Sequence, residues 1–208
     1  MKRFFSLRFL EPALAIGLAL ALITGARADL RQSALADKML RLHVIANSNS
    51  EKDQALKLRV RDRVLALSET LLQHAETISD AQRVIRENLP QLQACAQAEV
   101  ARSGYSYPVT AELTHMYFPT REYESFSLPA GMYDAFRIVI GAGAGRNWWC
   151  VMFPPLCITA AEAEVTQSAE EAGLSEEEIA IIEGGGTVYR YEFKLMELVG
   201  GLKGLFSR

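Results

Sequence analysis

The sequence predicts an α+β domain, a mixed and mostly antiparallel sheet flanked by helices, on three observations. Residues 53–73 and 79–104 repeat apolar side chains at three- and four-residue spacing, the period of a helix with one buried face. Residues 39–46, 107–118, 133–140 and 148–153 are short apolar runs bounded by turn residues, the pattern of strands. The chain has 208 residues, half of them hydrophobic and 23% charged, enough for one sizeable core.

Residues 1–28 stand apart from that domain. Lys2, Arg3 and Arg8 make a positive start, residues 13–23 are an uncharged apolar run, and Ala26, Arg27 and Ala28 have the small-x-small form of a cleavage site. The run is short for a bilayer span, which needs about 20 residues. The segment reads as an export signal, either cleaved or kept as a membrane anchor, ahead of a single extracytoplasmic domain at 29–208. Taking its four basic residues and Glu11 from totals of 22 and 25 leaves 18 and 24, a net charge of −6. A domain this acidic lacks the basic face of a nucleic-acid binder.

Residues 29–38 read as a polar lead-in, no more than a helical turn. The strand at 39–46 places Leu40, Leu42 and Val44 on one face, and the polar run 47–50 ends it. Ser50, with Asp53 three residues on, caps the helix at 53–73, where Leu56, Val60, Val64, Leu67 and Leu71 form the apolar stripe. Lys57, Arg59, Arg61 and Arg63 flank that stripe as a solvated face. Ser79 to Gln82 reads as the capping box of a second helix, with Val84, Ile85 and Leu92 inward. Pro90 breaks this helix near Asn88, after which it restarts and ends at Gly104. The helices are expected to pack as an antiparallel pair on one face of the sheet.

From 107 to 118 the period changes to two, with Val109, Ala111 and Leu113 inward. Residues 121–128 are a loop or a short edge strand, and 129–131 a turn. The strands at 133–140 and 148–153 are joined by the glycine-rich residues 141–147, which predicts an antiparallel hairpin. Eight glutamates and no Lys or Arg fall between 162 and 183, in a helix–turn–helix at 160–183 that turns at Gly173. Its second helix carries a capping box at Ser175 and Glu178 and a staple of Leu174 on Ile179. Residues 184–186 form a glycine joint; beyond it 187–193 fits a strand, while 191–198 fits the start of a helix.

Few residues suggest chemistry. Cys150 and Cys157 flank Pro154-Pro155, so they form either a disulfide across the turn or a pair of buried thiols. A nucleophilic Cys150 would need His43 or His115 as its base. His115 falls on the apolar side of its strand, where a structural histidine is the commoner explanation, and His74 at a helix end is solvated. Cys95 lies among alanines and reads as core. The three histidines match no metal-ligand spacing, and the glycines at 141–145 match neither a P-loop nor GxGxxG, so neither a metal nor a cofactor is implied. Trp148 and Trp149 point to opposite faces of their strand. Asn47, Tyr117, Arg121, Arg146, Trp148 and Trp149 are the residues the sequence offers for binding a partner, because tryptophan with arginine is a frequent interface anchor.

Three stretches, LRLHVIANSNSEKDQALKLRVRD (40–62), YFPTREYESFSLPAGMYDAFRIVIG (117–141) and NWWCVMFPPLC (147–157), resemble stage II sporulation protein R of endospore-forming bacteria. The resemblance implies a protein made in the forespore and exported to the space between forespore and mother-cell membranes. There it would trigger a membrane-embedded aspartic protease that converts the sigma-E precursor. It implies an activator and not an enzyme, and it carries no catalytic residues over. The competing expectation is an exported cysteine-dependent hydrolase or thiol enzyme using Cys150 with His43 or His115.

Overall fold

All six residues of Leu40–Ile45 (β1) are buried, and the remaining strands assemble around them. The computed structural model describes residues 7–123, 126–157 and 162–183. In chain order its elements are α1 (Leu7–Ala36), β1, α2 (Glu51–Leu72), α3 (Ile78–Glu87), α4 (Leu89–Arg102) and β2 (Val109–Phe118). They continue with β3 (Arg121–Glu122), β4 (Ser127–Leu128), β5 (Gly131–Ile140), β6 (Asn147–Phe153), α5 (Glu162–Glu171) and α6 (Glu176–Ile182). Four strands form one sheet in the order β2-β5-β1-β6, and β3 pairs with β4 in a separate small ribbon. β1 runs parallel to β5 and antiparallel to β6, while β2 is antiparallel to β5. The sheet is mixed and helices flank it, as the sequence predicts.

β5 and β6 are not the expected hairpin, because β1 lies between them. The glycine-rich linker steps over the end of β1. Its Gly145 N–H donates to the Ala46 carbonyl at 2.9 Å and its Ala144 N–H to the Asn47 carbonyl at 3.1 Å. A Cβ on Gly145 would overlap the Ser48 carbonyl, and one on Gly141, at φ +60°, would overlap the Asn47 side chain. The glycines are there for close backbone approach. Spanning one intervening strand satisfies them as well as a tight turn would.

The sheet is covered on both faces. Leu42, Val44, Phe136 and Ile138 pack against Leu56, Val60 and Val64 of α2, Ile85 of α3 and Leu92 of α4. Each of these fully buried apolar side chains contributes roughly 1.5–3 kcal/mol. On the other face Met39, Phe118, Tyr133 and Val151 pack with Leu35 of α1, Leu128, Val165 of α5 and Ile179 of α6.

Local chemistry accounts for the helix ends. Ser50 caps α2 by accepting from the Asp53 N–H at 3.2 Å. The cap of α3 is Thr77, whose hydroxyl accepts from the Asp80 N–H at 3.1 Å, and not the expected Ser79. Asn88 separates α3 from α4, which restarts with Pro90 in its first turn, where a missing N–H costs nothing. Gly104, at φ +83°, ends α4. The Ser175–Glu178 capping box is formed on α6, beneath a buried Leu174.

Residues 29–36 are not an isolated turn but the end of α1, which is continuous from Leu7. Gln32, Leu35 and Ala36 are buried against the domain, whereas Leu14, Ile16, Leu18 and Leu20 are exposed. Among the described residues no helix is long and apolar enough to cross a membrane. Lys2 and Arg3, the glycine joint at 184–186 and the alternatives for 187–198 lie outside the described residues.

Candidate functional site

The six residues singled out for binding fall in four places. Trp149 lies on the α1/α5/α6 side of the sheet, half-buried, and its ring stacks on His43 at 3.9 Å and meets Phe118 edge-on at 4.7 Å. The Arg121 guanidinium sits 5.5 Å from the Trp149 ring. Beneath them Arg41 is fully buried, 4.1 Å above the Phe118 ring and 4.8 Å above that of Tyr133. Its Nη2 donates to the Tyr123 hydroxyl at 2.8 Å, and that hydroxyl donates to the Trp149 carbonyl at 3.2 Å. Burial lowers the pKa of Arg41 below its usual value. This cluster holds the β3–β4 ribbon onto the sheet.

His43 is 3% exposed, and neither ring nitrogen has a well-aligned partner among the described residues, although the Asn147 side chain lies beside it. Burial pushes its pKa down to about 4, with the charges of Arg137 and Arg41 adding to the shift and Asn147 opposing it. At neutral pH the ring is therefore uncharged and serves as a stacking plate for Trp149.

Trp148 points to the opposite face, as its place in the strand requires, and the Arg61 guanidinium covers it at 4.1 Å. Beside it Cys150 and Cys157 are joined in a disulfide, Cα to Cα 5.6 Å, so the Pro154-Pro155 turn does bring the sulfurs within reach. A groove of about 370 Å³ runs from this disulfide between α2 and α5. Asn47 and Arg146 lie at the third place, the end of β1. The Asn47 amide donates to Asp53 at 2.9 Å and its oxygen accepts from the Ala142 N–H at 2.9 Å. The Arg146 carbonyl accepts from Lys57 Nζ at 3.1 Å. Lys57 is thus a buried tie and not part of a solvated face, and Asp53, held by Ser48 and Asn47, has its pKa lowered below the carboxylate norm.

Tyr117 stands at the far end of the sheet. It is 40% exposed and pairs in register with Met132, 47% exposed; outside α1 these are the exposed large hydrophobic side chains among the described residues. Two residues along, on the same face, His115 pairs with Asp134, bonded at 2.8 Å, with the Gln82 amide donating to the same carboxylate at 2.7 Å. His115 is exposed here, not packed on an apolar face: its neighbours are polar, Asp134 on β5 and Gln82 of α3. Cys95 is half-buried, not core.

Cys150 does not meet either proposed base. Its sulfur is bonded to Cys157 and packs on the helical face, His43 lies on the opposite face, and His115 lies on β2, the far edge strand. Arg41, Met132 and Asp134 had no distinguishing signal in the sequence: their importance comes from strand register.

These features describe a disulfide-braced mixed sheet with the Tyr117–Met132 pair exposed at one end. The family model of stage II sporulation protein R matches residues 36–163, which span every strand of the sheet. Stage II sporulation protein R of Bacillus subtilis (strain 168) is 35% identical over 158 residues, covering 74% of this chain and 70% of that protein. The chain belongs to the stage II sporulation protein R family, and its role lies in sporulation. No solved structure matches it.

Proposed function

We propose that this chain is an exported sporulation signal. It binds the extracytoplasmic part of a membrane-embedded aspartic protease, in the space between forespore and mother cell, and so triggers processing of the sigma-E precursor. The observation that carries this reading is the family match across all six strands. Two features of the fold support it: Cys150 is committed to a structural bridge, and the exposed Tyr117–Met132 pair is suited to a protein contact. Such a ligand acts by binding the active arrangement of the protease better than the inactive one.

The test is to add the purified chain to the outer side of vesicles that carry the protease and its precursor. Cleavage rising with chain concentration to a plateau is expected. Unchanged cleavage at saturating chain, with a protease shown to be competent, contradicts the reading.

A further inference from the structure

His115 belongs to a polar pocket that neither the core nor the disulfide uses. Its Nδ1 lies 2.8 Å from Asp134 Oδ1, and the Gln82 amide donates to Asp134 Oδ2 at 2.7 Å. Both oxygens of Asp134 are therefore engaged. A carboxylate only accepts, so Nδ1 of His115 carries the proton in this pair and Nε2 is the ring atom left over. With Arg86, Leu113 and Thr114 these residues line a pocket of about 130 Å³.

Arg86 stands in contrast to its neighbour on α3. Arg83 is tied to Asp80 and Glu87, whereas the Arg86 guanidinium has no ion pair among the described residues. His115 Nε2 has no partner among them either. The pocket wall thus holds a forked donor and a ring nitrogen that are both unclaimed, beside a carboxylate that is fully claimed. Small-molecule sites run to roughly 300–1,000 Å³, so this one has room for a single functional group and not for a whole organic ligand.

We propose that this pocket takes one carboxylate, from an acidic side chain of a partner protein, between the Arg86 guanidinium and His115 Nε2. Arginine offers a carboxylate two parallel bonds, and one proton shared between Nε2 and the carboxyl oxygen completes the site. Charge balance selects a carboxylate over a phosphate. Arg86 and Asp134 cancel, and a carboxylate with the proton it shares is neutral, whereas a phosphate dianion leaves a surplus negative charge beside Asp134. The exposed Tyr117–Met132 pair, two residues along on the same face, makes a protein the fitting source of that carboxylate. The inference rests on the reading of the chain as a ligand, and the protease is the partner to test.

The experiment has two arms. In the first, the full chain is titrated with sodium acetate while the side-chain NMR signals of His115 and Arg86 are followed, with sodium chloride and sodium phosphate as comparisons. Acetate is expected to shift both sets of signals, half-completely at about 10 mM, with chloride inert and phosphate weaker. Arg86→Gln is expected to weaken acetate binding about tenfold, and Arg83→Gln to leave it unchanged. No acetate-specific shift, or equal loss in the two variants, overturns the site; phosphate bound more tightly than acetate overturns its assignment to a carboxylate. The second arm is co-elution with the purified protease in nanodiscs, which Arg86→Gln is expected to weaken at least fivefold. A parent complex that Arg86→Gln forms equally well overturns the partner's carboxylate and leaves the ligand reading intact. No complex with the parent chain overturns both.

Discussion

Each edge strand of the sheet borders a well-buried neighbour, β6 on β1 and β2 on β5, but the two are finished in opposite ways. On β6 the last four residues, Cys150 to Phe153, are all buried, the pairing with β1 shifts register between Leu40 and Arg41, and the disulfide closes the end. On β2 the side chains of Thr110, Glu112, His115 and Tyr117 are exposed, and Gln97 caps the Val109 N–H. Both edges face the same physical problem of main-chain groups beyond the ladder. Tyr123 donates to the Trp149 carbonyl on β6, and Gln97 accepts from the Val109 N–H on β2.

The sharpest way to break this contrast is a pair of proline replacements in β2. Glu112→Pro removes an N–H that belongs to the β5 ladder and is expected to cost about 3 kcal/mol in urea unfolding. Ala111→Pro removes an outward N–H and is expected to shift the midpoint little, since proline is tolerated on the solvent side of an edge strand. Equal destabilisation by the two would mean that the assigned phase of β2 is wrong.

On the closed side, acid is the next largest perturbation. The folded pKa of His43, about 4, lies below its ordinary value near 6.5, so the unfolded chain takes up the proton first. The stability this ring contributes is complete above pH 6.5 and is lost as pH falls toward 4, up to about 3 kcal/mol. His43→Phe should flatten that part of the pH–stability curve; a curve unchanged in shape would remove His43 as its cause.

Reduction of the disulfide, or Cys150→Ser with Cys157→Ser, is expected to cost about 2 kcal/mol, the entropy of a short closed loop. Exchange should rise first in β6 and leave β2 unchanged. The smallest stability effect belongs to Tyr117→Ser, within about 0.5 kcal/mol, as for most exposed replacements. Precursor cleavage should nonetheless drop, and a variant that is both stable and fully active would argue that this end of the sheet is idle.

How far the sequence disclosed these features depended on the range of the interactions. Helices α2, α4 and α6 were legible because caps and apolar spacing are local: Ser50, Gly104 and the Ser175–Glu178 box stand where the pattern puts them. Thr77 was missed because two capping residues lie two positions apart and either one fits the helix. The strands were legible too, but their order was not. A seven-residue glycine-rich linker suits a hairpin, and it equally suits a step of about 10 Å over one intervening strand. Choosing between them depends on Ala46 and Asn47, nearly a hundred positions earlier. The disulfide was legible as one of two outcomes, and the opposite faces of Trp148 and Trp149 followed from strand period alone. The burial of Arg41 and His43 was hidden, since both look like the polar side of a half-exposed strand until Phe118, Tyr123 and Trp149 close over them. Met132 became visible only through its register with Tyr117.

The central claim is that this chain triggers processing of the sigma-E precursor through the exposed Tyr117–Met132 end of its sheet, and cleavage of that precursor by protease supplied with the full-length Met132→Ser chain tests it most directly. With thermal unfolding and circular dichroism matching the parent, the account predicts at least a tenfold loss of cleavage at equal chain concentration. Cleavage at the parent rate by that folded variant would contradict it.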